Sequence, residues 1–142
     1  MRTVVIDASV AIKWFFPAEE REANTAEAGE ILLTIGRGEL GPLQPPHWMA
    51  EVIAVVTRLQ PDLAPRVIHL LDILEFQIHA DVATYRRASN MASELGHHLF
   101  DTLYHAVALE TGSTLVTADR RYFSKARRHG AICFLSEFPI DS

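Results

Sequence analysis

Short apolar runs alternate along the chain with longer segments of helical periodicity. Residues 3–7 form one such run, which is rich in β-branched residues and closes on a polar residue. This pattern predicts a buried strand, and runs at 113–117, 131–135 and, more briefly, 76–79 predict three more. Because helical segments separate these strands, we expect an α/β fold with a mostly parallel central sheet covered on both faces.

Prolines, glycines and apolar spacing mark the helices between the strands. Gly36, Gly38 and Gly41 are interpreted as the end of one helix and the start of a loop. The predicted helices cover residues 8–16, 19–36, 46–59, about 67–74, 81–95, 101–112 and 120–129. No repeat, low-complexity tract or linker interrupts the series, so residues 1–142 are predicted to form a single domain.

Four carboxylates stand inside or beside apolar runs: Asp7, Glu51, Asp101 and Asp119. An ionised carboxylate taken out of water costs several kcal/mol unless a partner compensates it, and these runs contain no basic residue. Asp7 and Asp119 follow predicted strands, and parallel sheets bind ligands at the carboxyl ends of their strands. If the four acids meet in the fold, their natural partner is a hard divalent cation.

Each acid also has a plain structural explanation. Asp is a favoured N-cap, and Asp7, Asp101 and Asp119 all precede or open predicted helices. Glu51 is expected in mid-helix, where capping does not apply, and a pair with Arg58 is its main alternative. Capping by three of the acids therefore stays open beside cation binding.

The chemistry of the candidate ligands indicates which cation they would bind. Carboxylates without cysteine or paired histidine favour Mg²⁺ or Mn²⁺ over Zn²⁺. For His97, His98 and His105 we therefore favour a role at a helix end or in support of the acids. Ser9 and Thr117 lie two residues from Asp7 and Asp119, where they could bond a carboxylate or be ordinary turn and strand-end residues.

Four segments together resemble the motifs of the PIN-domain family, and closely those of VapC-type toxins from bacterial and archaeal toxin–antitoxin modules. They match in order and spacing and span almost the whole chain: residues 4–9, 46–52, 100–108 and 115–120. The resemblance implies a three-layer α/β/α fold and a Mg²⁺- or Mn²⁺-dependent endoribonuclease that leaves 5′-phosphate and 3′-hydroxyl ends. It also implies a homodimer and a cognate antitoxin on a separate chain.

The same resemblance assigns roles to individual residues. It places the metal on Asp7, Glu51, Asp101 and Asp119, with Ser9 and Thr117 supporting those acids. Many relatives carry a further acid just after the fourth, where this chain has Arg120-Arg121-Tyr122. A second metal position is therefore left open.

Two further clusters are candidates for binding surfaces. The basic residues of the segment after Asp119 are either a surface for RNA phosphates or a solvated helix face: Arg120, Arg121, Lys125, Arg127 and Arg128. The aromatic run Trp14, Phe15 and Phe16 cannot face one way on a helix, so part of it is expected at the surface. In VapC-type proteins this region helps to bind the antitoxin.

Composition excludes some classes of protein, and two alternative functions stay open. The net charge of −5 argues against a protein that coats nucleic acid non-specifically. The single Cys133, interpreted as a buried strand residue, and the lack of any long apolar span predict a cytoplasmic protein without a membrane segment. The rivals are a phosphatase or phosphotransferase of another α/β fold with Asp7 as nucleophile, and a non-catalytic PIN-like binding module.

Overall fold

Five strands form one sheet in the computed structural model, which describes residues 1–16 and 24–140. The strands are β1 Arg2–Ile6, β2 Leu40–Gln44, β3 Gln77–Ile78, β4 Thr114–Thr117 and β5 Ile132–Phe134. They lie in the order β3-β2-β1-β4-β5, and every neighbouring pair is parallel. The central strand β1 therefore ends at Ile6 between the ends of β2 and β4, and Asp7 follows directly.

Helices cover this sheet, as the strand–helix alternation predicts. They are α1 Ala8–Ala11, α2 Thr25–Gly36, α3 Trp48–Leu59, α4 Ala64–Leu74, α5 Val82–Leu95, α6 Leu99–Thr111 and α7 Arg120–Ala126. Val4, Val5 and Ile6 are all fully buried although adjacent side chains of a strand point to opposite faces. Both faces of the sheet are thus covered, which confirms the three-layer α/β/α arrangement.

Helix α6 is enclosed along its middle turns. It packs across β1, β2 and β4, and α5 packs against it. Residues 102–108 are buried without interruption, as expected of a helix enclosed on most sides. Asp101 lies in the first turn of this helix, so the packing of α6 also fixes where this carboxylate stands.

Strand β2 was missed by the sequence interpretation. Gly41 and Pro42 lie inside it, not in a loop, and it pairs with β1 on one side and β3 on the other. Glycine and proline both argue against an interior strand, because one lacks a side chain to pack and the other lacks a donor N–H. The pairing of β2 with β1 matters for function because it brings Gln44 beside Ile6.

Other boundaries differ more modestly. The first helix is only α1, followed by a 3₁₀ turn over Ile12–Trp14. Helix α2 starts at Thr25, and residues 19–23 of the predicted helix lie outside the described residues. Cys133 is half-buried instead of buried. None of the described helices has the length and apolar character needed to cross a bilayer.

Candidate metal centre

Asp7 stands where β1 ends and α1 begins, and its carboxylate contacts Ser9 and Thr117. Its Oδ2 accepts hydrogen bonds from the Ser9 N–H at 3.2 Å and from the Ser9 hydroxyl at 2.5 Å. The Thr117 hydroxyl, from the end of β4, lies 3.4 Å from the same oxygen. Asp7 therefore caps α1, but it uses one oxygen to do so.

Ser9 and Thr117 also join the ends of β1 and β4. The Ser9 hydroxyl accepts from the Ala118 N–H at 2.9 Å, and the Thr117 hydroxyl accepts from the Asp119 N–H at 3.0 Å. Asp119 Oδ1 in turn accepts from the Tyr122 N–H at 3.0 Å and caps α7. These bonds hold the two strand-end acids side by side, and capping leaves each with a second oxygen.

Glu51 approaches the same edge from α3. It lies in the first turn of that helix, not in mid-helix as the sequence indicated. Its Oε1 is 3.1 Å from His47 Nε2, but this nitrogen is hydrogen-bonded to the Phe100 carbonyl at 2.8 Å. Among the described residues, Oε1 is therefore left buried without a hydrogen bond of full geometry. The described ion pairs do not join Glu51 to Arg58.

Asp101 occupies the first turn of α6 but does not cap it. The N-cap residue is His98, so the capping explanation is wrong for Asp101. Its Oδ2 is 2.8 Å from His97 Nε2, and Lys125 Nζ is 3.2 Å from the other ring nitrogen of His97. One potential ligand atom from each of His97, Asp101 and Asp119 lies within 4.8 Å of the others.

Two buried tyrosines border the acids. Burial, followed by the charges of nearby carboxylates, raises the pKa of Tyr104 and of Tyr122 well above the ordinary range, so both stay protonated. The Tyr122 hydroxyl bonds His105 Nδ1 at 2.9 Å, and His105 Nε2 bonds the Gly130 carbonyl at 2.7 Å. His105 is thus a buried support beneath Tyr122, consistent with the structural role expected of it. The Tyr104 hydroxyl interacts with Glu51, which helps to raise its pKa, but it makes no hydrogen bond of full geometry with the described residues.

The acids act on one another electrostatically. Desolvation raises the pKa of Asp7 to about 6, and the charges of Asp101 and Glu51 contribute against the lowering effect of Ser9. Desolvation also raises the pKa of Asp101; the bond from His97 opposes this, and the charges of Glu51 and Asp119 add to it. Asp101 therefore lies within electrostatic reach of Asp7, Glu51 and Asp119, and Asp7 lies within reach of Glu51 as well.

This arrangement fits a divalent cation. No lysine or arginine forms an ion pair with any of the four acids in the described part of the chain. Glu51 Oε1 is buried and unbonded, which is expensive for an acceptor unless a ligand occupies it. A cation placed among the acids would satisfy that atom and offset their mutual repulsion. Carboxylate oxygens suit Mg²⁺ or Mn²⁺.

A family model described as "PIN domain" matches residues 4–129. The chain belongs to the PIN domain family. No curated protein matches its sequence significantly.

Solved structures share the PIN fold of this chain at low sequence identity. One is titled "Toxin-antitoxin complex from Klebsiella pneumoniae", with 15% identity, a TM-score of 0.68 and coverage of 95% of this chain and 99% of the other. A second is VapBC-1 from nontypeable Haemophilus influenzae, with 13% identity, a TM-score of 0.65 and coverage of 95% and 99%. PAE2754 from Pyrobaculum aerophilum has 18% identity, a TM-score of 0.64 and coverage of 95% and 90%.

The basic residues near this PIN-domain site divide into two groups. Arg120 stacks on Phe134 with its guanidinium 3.8 Å from the ring centroid, and Arg127 lies over Phe123 at 5.4 Å. Arg128 pairs with Glu94. Arg121 and Lys125 instead line a pocket beside His97. The five were predicted as one set, and the structure places only these two at a pocket next to the acids.

The aromatic run is also divided. Phe16 is buried in the core. Trp14 and Phe15 line an apolar pocket of about 260 Å³ together with side chains of α2 and α4: Leu32, Leu70, Ile73 and Leu74. Part of the run therefore reaches the surface, as the sequence predicted, and the participation of α4 in this pocket was not foreseen.

Proposed function

We propose that this PIN-domain protein is a metal-dependent endoribonuclease and the toxin component of a type II toxin–antitoxin pair. The observation that carries the proposal is the approach of Asp7, Glu51, Asp101 and Asp119 at one edge of the sheet, with no lysine or arginine paired to them among the described residues. Family membership and the likeness to toxin–antitoxin complexes support the assignment.

The four acids would hold Mg²⁺ or Mn²⁺ in this proposal. When bound, such an ion lowers the pKa of a coordinated water and offsets charge on phosphate oxygens. The chain's own residues keep the acids in place: Ser9 fixes one oxygen of Asp7, Thr117 bonds the backbone of Asp119, and His97 orients Asp101. No side chain need act as a nucleophile, because water attacks the phosphodiester.

Cleavage of RNA by the purified protein tests the proposal. We expect cleavage with Mn²⁺ or Mg²⁺, none with EDTA, and a loss of at least about a hundredfold in Asp101→Asn. Asp62→Asn is the matched control, since Asp62 is an exposed acid outside the site. Cleavage that persists in EDTA, or full activity in Asp101→Asn, would contradict the proposal. The ends should be 5′-phosphate and 3′-hydroxyl.

The apolar pocket at Trp14 and Phe15 is proposed as the antitoxin-binding surface. Its α4 wall includes Ile73, whose side chain is 58% exposed. A charged residue there should weaken an apolar contact, so Ile73→Glu should lose affinity for the antitoxin encoded beside this protein. The control is Val82→Glu, a similarly exposed apolar residue outside the pocket. Equal antitoxin affinity in the two variants would contradict this surface. A homodimer remains a prediction for analytical ultracentrifugation.

The two rivals fare differently. The first alternative, a phosphatase or phosphotransferase, depended on a different α/β fold, and the match to the PIN family excludes it. A non-catalytic PIN module would bind the antitoxin without cutting RNA, so the cleavage assay decides between it and the nuclease.

A further inference from the structure

A pocket opens beside the acidic site, between the end of α5 and the exposed side of α7. It encloses about 420 Å³, and polar groups of its lining come from Ser93, Gly96, His97, His98, Arg121 and Lys125. This volume falls in the range of pockets that hold small ligands. None of the described acidic side chains lines it, so it presents a positive wall next to a negative site.

The two cations of this pocket differ from the other basic residues of their segment. Arg120 and Arg127 stack on aromatic rings, and Arg128 is neutralised by Glu94. Within the described ranges neither Arg121 nor Lys125 pairs with a carboxylate; Lys125 contacts the Gly96 carbonyl at 3.3 Å and His97 Nδ1 at 3.2 Å. These two charges are therefore free to bind an anion.

His97 connects the pocket to the acids. Lys125 Nζ is 3.2 Å from His97 Nδ1, and His97 Nε2 is 2.8 Å from Asp101 Oδ2. An ammonium group only donates, so Nδ1 accepts and Nε2 carries the proton that it donates to Asp101. His97 is then a donor to Asp101, and one imidazole ring separates Lys125 from the acidic site.

We propose that this pocket binds a phosphate of the RNA strand adjacent to the phosphate that is cleaved. The inference rests on the proposed nuclease function. The pocket lies close enough to the acids for a neighbouring phosphate of the same strand, because one imidazole ring and two hydrogen bonds separate Lys125 from Asp101. The pocket contacts the backbone and no base edge, so it positions the strand without reading its sequence.

Arg121→Gln tests the pocket, because Arg121 is exposed and its loss should not disturb folding. Arg127→Gln is the control, since it removes an equal charge from the same segment outside the pocket. Binding of a fluorescein-labelled single-stranded RNA is measured in EDTA over a range of salt concentrations. We expect Arg121→Gln to reduce the logarithmic salt slope by about 0.7, the value for one phosphate contact on a single strand. Arg121→Lys should retain the slope, and Arg127→Gln should resemble the wild type.

Cleavage kinetics give an independent measurement. A contact to a non-reacting phosphate is present before and during the reaction, so Arg121→Gln should raise KM by about tenfold and leave kcat unchanged. Equal salt slopes in Arg121→Gln and Arg127→Gln, or a fall in kcat with constant KM, would contradict phosphate binding by this pocket.

The two proposals can fail separately. If the wild type cuts RNA while Arg121→Gln and Arg127→Gln behave alike, the proposed phosphate site is contradicted and the proposed nuclease function is retained. If the wild type cuts no RNA but Arg121→Gln still loses salt-dependent RNA binding, the pocket binds an RNA phosphate but the proposed nuclease function is contradicted.

Discussion

The side-chain amide of Gln44 forms two hydrogen bonds with the backbone of Ile6. Gln44 Oε1 accepts from the Ile6 N–H at 2.7 Å, and Gln44 Nε2 donates to the Ile6 carbonyl at 2.9 Å. Gln44 is fully buried at the end of β2. The amide therefore satisfies both backbone groups of the residue before Asp7 and fixes the position from which that carboxylate projects.

Replacing Gln44 by leucine should destabilise the protein. Leucine is similar in size to glutamine but apolar, so it leaves the N–H and carbonyl of Ile6 buried without partners. We expect a loss of about 2–4 kcal/mol in the free energy of unfolding, from two buried groups at about 1–2 kcal/mol each. Urea denaturation measures it, with Gln77→Leu on the exposed strand β3 as control. A loss in Gln44→Leu no larger than in this control would contradict the bridging role.

Asp7 should make the cation-free protein less stable as pH rises. Its pKa is raised from 3.8 to about 6 in the folded protein, so the native state binds this proton more tightly than the unfolded chain does. The stability that results is complete below about pH 4 and is lost as pH rises through about 6. At pH 8 the loss is at most about 3 kcal/mol, from about 1.4 kcal/mol for each pKa unit.

Asp7→Asn isolates this effect because asparagine stays neutral. In EDTA, its melting temperature should exceed that of the wild type near pH 8 and approach it near pH 4. Asp62→Asn, at an exposed site, should follow the wild type at every pH. If Asp7→Asn melts below the wild type at pH 8, the carboxylate is not electrostatically strained in the free protein.

Tyr104 and Tyr122 should respond in opposite ways to removal of their hydroxyls. The Tyr122 hydroxyl bonds His105, so Tyr122→Phe leaves a buried ring nitrogen unpaired and should destabilise by about 1–3 kcal/mol. Among the described residues the buried Tyr104 hydroxyl makes no hydrogen bond of full geometry, so Tyr104→Phe should be neutral or stabilising. Thermal unfolding in EDTA compares the two. Equal destabilisation would mean that the Tyr104 hydroxyl has a partner in solution.

The sequence predicts the elements whose pattern is local. The strands around Val4, Leu115 and Cys133 and the helices between them are found with small shifts, because apolar runs and helical periodicity depend on neighbouring residues. Strand β2 is not predictable in this way. Leu40–Gln44 contains Gly41 and Pro42, and only its pairing with β1 and β3 makes it a strand.

The candidate site likewise has parts that the sequence predicts and parts that it does not. The four acids could be identified as candidates because a carboxylate within or beside an apolar run is recognisable from the sequence alone. The contributions of Gln44, His47 and His97 depend on contacts across the fold, such as the bond from Gln44 to Ile6. The separation of Arg121 and Lys125 from the three occupied arginines likewise needs the positions of Phe134, Phe123 and Glu94. No spacing in the sequence reveals those partners.

Mn²⁺ binding to the purified protein tests the central claim most directly, because it depends on the four acids and not on the choice of RNA. Electron paramagnetic resonance of free Mn²⁺ counts bound ions in the wild type, in Glu51→Gln and in Glu137→Gln, an exposed acid outside the site. We predict a saturable site in the wild type and in Glu137→Gln, and at least about tenfold weaker binding in Glu51→Gln. Equal affinity in Glu51→Gln and Glu137→Gln, or no saturable binding in the wild type, would contradict a cation held by these carboxylates.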